Sequence, residues 1–265
     1  MKSVATPPSG GIWRASGTFL QKQGALVALI LLVIFASVRY DAFLTSVNIL
    51  NILKQNSMIG IVAIGMTFVI LMRGIDLSVG SLLALGGILA AMLSPYGLAA
   101  ALIVPVAVAA LLGCVNGLII ARMKIEPFIV TLAMMIGVRG VVYAVTKEKT
   151  RTVDDSLTDF FVTLGNGTFI GIPVPVWTFL VILAAAAFVL RFTRFGRNVY
   201  AIGGNEDATH LMGIRVDRMK IAVYTLSGAL SGFTGIVLAG RLGGAAQPVA
   251  GNMWELDAIA AVVIG

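Results

Sequence analysis

Few side chains in this sequence could do chemistry, and none of them forms a catalytic or metal-binding pattern. Cys114 and His210 are each the only residue of their type. A cysteine metal site, an intrachain disulfide and a His-Glu-x-x-His zinc motif are therefore excluded, and there is no nucleophile elbow. We predict no catalytic residue, no metal and no cofactor. The candidates that remain are ionisable and polar groups within or beside apolar segments.

The first such group lies at residues 73–76, which separate two apolar runs. Four residues are too few for much of an excursion into water, so the stretch predicts a helix break. Asp76 is expected to cap the next helix, with Ser78 in the same turn and Gly74 allowing the bend. Two interpretations stay open. One is a structural break in which Arg73 and Asp76 partly pair, and the other is a break that lines a transport path.

Two further polar side chains lie inside apolar runs. Asn116 belongs to Gly113-Cys-Val-Asn-Gly117, a pattern typical of close helix contact, and could hydrogen-bond across it, which favours a packing role. Arg139 is either functional or close enough to the membrane surface to extend its head group there. The candidate residues for a translocation path or helix break are therefore Arg73, Gly74, Asp76, Ser78, Asn116 and Arg139.

The longest cation-rich interval spans residues 191–220 and holds six Lys/Arg against three acidic residues. It must lie outside the lipid, and the positive-inside bias predicts a cytoplasmic loop. Within it, Asn205 to Gly213 predicts one short helix, with Asn205 as the N-cap and Gly213 in a left-handed conformation after the last turn. Glu206 and Asp207 would lie in the first turn, where the helix dipole favours anions.

One face of this short helix is apolar, because Ala208, Leu211 and Met212 recur at helical spacing. Such a helix is too short to cross a bilayer of about 30 Å. Its apolar face therefore needs a partner. Lipid headgroups, its own bundle and a second protein are all possible from shape alone.

The elements that position these residues are predicted to be membrane-spanning helices. Hydrophobic residues make up 58% of the chain, charged residues 12%, and the mean hydropathy is +0.99, whereas about 25% of residues are charged in soluble proteins. The fold class predicted is an all-α, polytopic transmembrane bundle. The net charge of +7 comes without a long basic patch interleaved with aromatic residues, so nucleic acid is not expected as a partner.

Apolar runs recur along the chain and divide it into a predicted flexible cytoplasmic tail at 1–23 and a transmembrane domain at 24–265. The runs lie near 24–38, 58–72, 77–93, 97–121, 127–145, 174–190 and 221–240. An eighth begins near Leu256, and the ten residues that follow are too few to span a membrane, so we expect the chain to be truncated at its C-terminus.

The topology predicted from these runs starts with a cytoplasmic N-terminus and alternates. The inner connections then hold twelve Lys/Arg and the outer ones six, which agrees with the positive-inside bias. The longest outer connection, 146–173, carries mixed charge and a Gly165-Asn-Gly167 turn. It is interpreted as a solvated connection.

Four stretches resemble the permease subunits of bacterial monosaccharide ABC importers, within the branched-chain amino acid and sugar permease superfamily and nearest to ribose permeases. They are Gly74–Gly80, Ala201–Val216, Tyr224–Gly235 and Glu255–Gly265. The resemblance implies that the short loop helix is a coupling helix, which docks on a cytoplasmic ATP-binding subunit. The residues it implies for coupling are Gly203, Gly204, Asn205, Glu206, Ala208, Leu211 and Gly213.

The resemblance also implies partners and a location. It implies a periplasmic sugar-binding protein at the outer surface, a second permease subunit that is identical or similar, and surrounding lipid of the bacterial inner membrane. ATP would be hydrolysed by the partner, since this chain has no Gly-x-x-x-x-Gly-Lys-[Ser/Thr] phosphate loop. The alternative is a self-sufficient secondary transporter or channel for a small polar solute, which would place ionisable residues inside several spans.

Overall fold

The computed structural model describes residues 24–264, so the predicted tail at 1–23 lies outside the described residues. The helices are α1 (Gly24–Arg39), α2 (Ser46–Leu71), α3 (Val79–Leu93), α4 (Leu98–Met123), α5 (Pro127–Thr146), α6 (Asp155–Asn166), α7 (Val174–Phe192), α8 (Arg194–Gly204), α9 (Glu206–Leu211), α10 (Val216–Arg241) and α11 (Trp254–Ile264). A single 3₁₀ turn, Ser94–Tyr96, follows α3. The short strands are β1 (Arg151–Thr152), β2 (Thr168–Phe169), β3 (Ile172–Pro173) and β4 (Ala245–Ala246).

Six of the described helices are long and apolar enough to cross a membrane: α2, α3 with its 3₁₀ turn, α4, α5, α7 and α10. Backbone polar groups in lipid must be satisfied within the chain, and helices do this segment by segment. The prediction of an all-α, polytopic helical bundle is confirmed. Residues 24–49 form one unit, which holds α1 and the start of α2, and Leu50–Val263 form the other.

Helix α10 lies at the centre of the second unit and contacts α3 and α4 through small residues. Gly86 of α3 lies against the backbone of Gly232. On α4, Gly113 lies against the carbonyl oxygen of Tyr224, and Gly117 contacts Ile221. The small-residue pattern at 113–117 therefore does bring two helices into close contact, as helix pairs in membranes require.

Replacing Gly113 with alanine is expected to lower the free energy of unfolding by about 1–3 kcal/mol, because the added methyl group has no room beside the Tyr224 carbonyl. The matched control is Gly140→Ala on α5, where nothing lies within 4 Å of an added Cβ. The control should gain up to about 1 kcal/mol from helix propensity. Thermal unfolding in detergent measures both, and equal melting temperatures would contradict the prediction.

The connections gather at two ends of the second unit. At the first, which we call the α9 end, Arg73 Nη2 donates to the carbonyl oxygen of Gly204 at 2.8 Å, and Arg122 lies 4.0 Å from Asp217. At the second, the β1–β4 end, Arg151 pairs with Ala246 in an antiparallel ladder. The alternating topology predicted from the sequence assigns these connections to the same two sides.

The connection at 146–173 keeps several exposed residues, among them Asp155 and Asp159, and also contains ordered structure that the sequence did not predict. It contains α6, whose N-cap Asp154 accepts hydrogen bonds from the Ser156 hydroxyl at 2.6 Å and from the Ser156 N–H at 3.0 Å. These bonds hold the pKa of Asp154 below its ordinary value. Gly165 is not in a surface turn either. It lies in the last turn of α6 against the backbone of Gly240 and Arg241, because α6 buries Phe161 on one face.

Candidate functional site

The short loop helix α9 has the two ends that the sequence predicted. Asn205 Oδ1 accepts a hydrogen bond from the N–H of Ala208 at 2.9 Å, which is the N-cap contact. Gly213 has φ +80°, the left-handed conformation expected after the last turn. Local capping therefore determines both boundaries of a helix that is too short to be stable by itself.

The apolar face of α9 points away from the bundle. Leu211 is 87% exposed and Met212 is 68% exposed, and Ala208 beside them is also exposed. On the opposite side of α9, Thr209 is buried, and its hydroxyl donates a hydrogen bond to the carbonyl oxygen of Asn205 at 2.7 Å. Within residues 24–264 the chain's own bundle therefore does not cover this face, which leaves lipid headgroups and a second protein as its partner.

Three contacts join α9 and the preceding helix α8 to the rest of the α9 end. Lys220 Nζ on α10 lies 2.7 Å from Glu206 Oε1 on α9. On α8, Gly203 lies against the carbonyl oxygen of Leu71, and Gly204 accepts the hydrogen bond from Arg73. A displacement of α9 would therefore shift its contact with α10 and, through α8, the contacts with the helix break that follows α2.

The helix break between α2 and α3 differs from the prediction that Asp76 caps the next helix. Helix α3 begins at Val79, after a cap position at Ser78 that makes no side-chain capping bond. The left-handed residue is Arg73, with φ +59°, while Gly74 is needed because an added Cβ would lie 2.5 Å from the Tyr224 hydroxyl.

Arg73 and Asp76 do not pair. Arg73 is exposed and reaches the Gly204 carbonyl, whereas Asp76 is fully buried. The two side chains leave the backbone toward different partners, so the short spacing between them in the sequence does not bring their charges together.

Asp76 organises a buried polar cluster that also contains Ser78, Asn116 and Ser227. Asp76 Oδ1 accepts from the N–H of Ser78 at 3.0 Å and from its hydroxyl at 2.6 Å, and Oδ2 accepts from the Ser227 hydroxyl at 2.8 Å. Asn116 Nδ2 donates to Ser78 Oγ at 3.0 Å. The cluster thereby joins the break to α4 and α10.

Three of the sequence-predicted residues, Asp76, Ser78 and Asn116, therefore come together, and Ser227 is the member that sequence reasoning missed. The available signal was its position beside Gly228 on the small-residue face of α10, where a serine hydroxyl can bond to a neighbouring helix. Asn116 Oδ1 is buried and accepts no hydrogen bond from residues 24–264.

Arg139 lies apart from this cluster. Its guanidinium Nη1 donates to the carbonyl oxygens of Pro248 at 2.9 Å and Ala250 at 2.7 Å. It therefore ties α5 to the segment that precedes α11, a role that the sequence did not predict. Glu255, at the start of α11, is also buried and lies over Gly80.

Two cavities flank these residues. An apolar groove of about 780 Å³ lies between α3, α4 and α5, with Asn116 as a polar group in its wall. A polar cavity of about 670 Å³ opens at the α9 end and is lined by residues of α2, α4, α5, α8, α9 and α10 and of the break after α2. Across the described part of the chain, no group of three His, Cys, Asp or Glu side chains could hold a metal ion.

Comparison with known proteins relates the chain to permease components of transport systems. Residues 48–265 match the family described as branched-chain amino acid transport system / permease component. The chain is 45% identical to the ribose import permease protein of Haemophilus influenzae, over 94% of this chain and 78% of that protein. It is also 45% identical to the ribose import permease protein of Bacillus subtilis, over 93% of this chain and 76% of that one.

A more distant relative is the L-arabinose ABC transporter permease protein of Azospirillum brasilense, which is 35% identical over 97% of this chain and 74% of its own length. No solved structure matches the chain.

Proposed function

We propose that this chain, which belongs to the family of branched-chain amino acid transport system / permease components, is the membrane-spanning permease subunit of an ATP-driven sugar importer. The observation that carries the proposal is 45% identity to ribose import permeases over more than nine-tenths of the chain. Six membrane-length helices among residues 24–264 support the same assignment. The chain is a transport subunit and not an enzyme, as the names of these relatives indicate.

Ribose is the sugar that we expect first. The ribose permeases are 45% identical to this chain, whereas the arabinose and xylose permeases are 35% and 33% identical. A related pentose is the nearest alternative.

The proposed partners follow from the importer assignment. They are an ATP-binding subunit, a periplasmic sugar-binding protein, a second permease subunit that is identical or similar, and the lipid of the bacterial inner membrane. We propose that residues 24–265 act as one transmembrane domain with the N-terminus in the cytoplasm, which puts the α9 end inside. The excess of Lys/Arg in the connections at that end supports this orientation.

We propose that α9 and the residues beside it transmit the conformational change of the ATP-binding subunit to the permease. The exposed face at Leu211 and Met212 supports docking onto a protein partner, since an exposed apolar face is a common mark of an interaction site. The ion pair between Glu206 and Lys220 connects α9 to α10, so that a movement of α9 would be transmitted to α10. The coupling residues proposed are Gly203, Gly204, Asn205, Glu206, Ala208, Leu211 and Gly213.

We further propose that the break at residues 72–78 and the buried cluster at Asp76 lie beside the translocation path. Irregular backbone at membrane depth is tolerated where it lines a cavity or is buried in protein, and Arg73 and Gly74 line the polar cavity at the α9 end. Asn116 lies in the wall of the apolar groove, and its buried Oδ1 accepts no hydrogen bond from residues 24–264. Arg139 would hold the neighbouring segment in place through its two carbonyl contacts.

Ribose uptake into proteoliposomes tests the proposed function. Vesicles would contain the permease and its ATP-binding subunit, the sugar-binding protein would be added outside, and hydrolysable ATP would be compared with a non-hydrolysable analogue inside. We expect uptake only with hydrolysable ATP. Uptake that does not depend on ATP would instead favour a self-sufficient secondary transporter or channel.

A further inference from the structure

The corner between α7 and α8 carries positive charge that nothing nearby in the sequence neutralises. Arg191, Arg194 and Arg197 are exposed there. No acidic residue occurs between Asp159 and Glu206, and the two ion pairs formed within residues 24–264 involve other cations. The three guanidinium groups, which we call the arginine patch, therefore have no carboxylate partner in the described part of the chain.

The backbone of this corner is fixed by contacts that do not involve the arginine side chains. The Thr193 hydroxyl donates to the carbonyl oxygen of Val189 at 2.6 Å and accepts from the N–H of Gly196 at 3.2 Å, which caps α8. Gly196 lies directly against the carbonyl oxygen of Leu190, where a larger residue has no room. Replacing an arginine of the patch should therefore leave the corner intact.

Helix α8 has one buried face and one basic face. Its buried residues are Gly196, Val199 and Ile202. Arg194 and Arg197 recur one turn apart on the opposite side, followed by Tyr200, which is 54% exposed. Helical spacing therefore anchors α8 to the bundle on one side and presents both arginines to the surroundings on the other.

The arginine patch lies where a lipid-facing helix ends. Within the described chain, Pro175 is the one buried residue of α7, so most of this membrane-length helix has an apolar surface open to lipid. At its end, Phe188 and Phe192 are exposed, with ring centroids 5.4 Å apart. Arg191 Cζ lies 5.6 Å from the centroid of the Phe192 ring. Aromatic rings beside a cation are typical of the boundary between hydrocarbon and headgroups.

The patch is close enough to this boundary to reach lipid phosphate groups. Arg194 follows Arg191 by three residues, and Arg197 lies one further turn, about 5 Å, along α8. The headgroup layer is about 5–8 Å thick on each side of the hydrocarbon core. Attraction to an anionic surface extends roughly 8 Å further at physiological salt.

We propose that the arginine patch binds the phosphate of an anionic phospholipid at the α9 end of the membrane. Guanidinium groups bind phosphate through two parallel N–H···O bonds, and a negative headgroup complements a cationic site that has no carboxylate of its own. Arg194 and Arg197 hold the phosphate, and Phe192 lies beside the acyl chains. The inference rests on the membrane setting of the proposed function and does not depend on the sugar or on ATP.

A lipid bound at the patch restrains the docking helix. Helix α8 ends at Gly204 and α9 begins at Glu206, so Asn205 alone separates them. The N–H of Asn205 donates to the carbonyl oxygen of Ala201 on α8 at 3.1 Å, while its side chain accepts from Ala208 on α9. A headgroup that holds α8 at the membrane surface therefore limits how far α9 can move.

Binding of phosphatidylglycerol to the purified, delipidated full-length permease tests the site. Native mass spectrometry gives the apparent Kd for the wild type and for the double variant Arg194→Gln/Arg197→Gln. Each arginine near an anionic surface contributes about 5-fold to affinity, so the double variant should bind roughly 10- to 30-fold more weakly. Phosphatidylcholine, whose headgroup has no net charge, should bind weakly to both.

The matched control is Arg215→Gln/Arg218→Gln, which removes the same charge from two exposed arginines at the α9 end. Asp217 lies between them in the sequence, and this control should lose less than about 3-fold in affinity because a neighbouring carboxylate already opposes binding of an anion. Equal affinity of the wild type and the Arg194→Gln/Arg197→Gln variant overturns the proposal, as does an equal loss in the control.

Two further measurements identify the occupant. The melting temperatures of the variants should match the wild type, since the substituted side chains are exposed; if the double variant does not fold, Arg197→Gln alone should still show a loss of about 5-fold. Excess glycerol 3-phosphate should not displace the lipid, and displacement would assign the patch to a free phosphate ester instead.

A protein contact is the remaining competitor for the patch. Weaker binding of the ATP-binding subunit to the Arg194→Gln/Arg197→Gln variant, with unchanged affinity for phosphatidylglycerol, would assign the patch to that subunit and overturn the lipid site. These lipid measurements use the permease without ATP or sugar. Their failure is therefore distinct from failure of the proposed function, which would appear as uptake that does not depend on ATP.

Discussion

Replacing Leu211 with aspartate is expected to abolish ATP-driven uptake while the permease remains folded in the membrane. Leu211 is 87% exposed on α9, so the substitution should change the free energy of unfolding by no more than about 0.5 kcal/mol. A carboxylate buried in an apolar docking surface costs several kcal/mol, which is a loss of affinity of at least about 100-fold. Binding of the purified ATP-binding subunit and uptake into proteoliposomes both measure this loss.

The control for this experiment is Leu211→Met, which keeps the apolar surface and should retain most of the uptake. Membrane insertion and the melting temperature should be the same for both variants. Normal uptake by the Leu211→Asp variant would contradict the assignment of α9 as the coupling helix. Loss of uptake with intact binding would place the defect in a later step.

Replacing Asp76 with alanine is expected to lower the free energy of unfolding by about 2–4 kcal/mol, more than any other substitution considered, and to abolish uptake. Asp76 is fully buried, and its carboxylate accepts three hydrogen bonds from Ser78 and Ser227. Alanine would leave these donors without an acceptor in the protein interior. Thermal unfolding in detergent and ribose uptake would measure the two effects.

The partner variant Ser227→Ala is a graded control, since it removes one of the three hydrogen bonds. It should cost about 1 kcal/mol. Because both substitutions remove the same contact, the double variant should be less destabilised than the sum of the single variants. An Asp76→Ala variant with an unchanged melting temperature would refute the structural role of the cluster.

Features that depend on neighbouring residues could be predicted from the sequence. The boundaries of α9 follow from an N-cap at Asn205 and a left-handed Gly213, both of which act within one turn. The membrane-length helices follow from apolar runs that need no knowledge of their partners. A close helix contact at residues 113–117 of α4 could be predicted from its small residues, but not that α10 would be the partner.

Contacts between distant parts of the chain could not be predicted in this way. Ser227 is 151 residues from Asp76 and Gly204 is 131 residues from Arg73, so local spacing suggested a pairing of Arg73 with Asp76 that does not form. Gly165 was interpreted as part of a turn because its close neighbour, the backbone at Gly240, is not visible in the local sequence. The polar cavity is likewise lined by residues of six helices, α2, α4, α5, α8, α9 and α10.

The glycine contacts among α3, α4 and α10 have a mechanical consequence. Where backbones touch, as at Gly86 with Gly232 and at Gly113 with Tyr224, there are no long side chains whose rotamers could absorb a displacement. These three helices should therefore behave as one stiff block. A displacement of α9, transmitted through the ion pair of Glu206 with Lys220, would therefore tilt the three helices together as a rigid body instead of bending any one of them. The same rotation would shift the contact between Gly240 and α6 at the β1–β4 end.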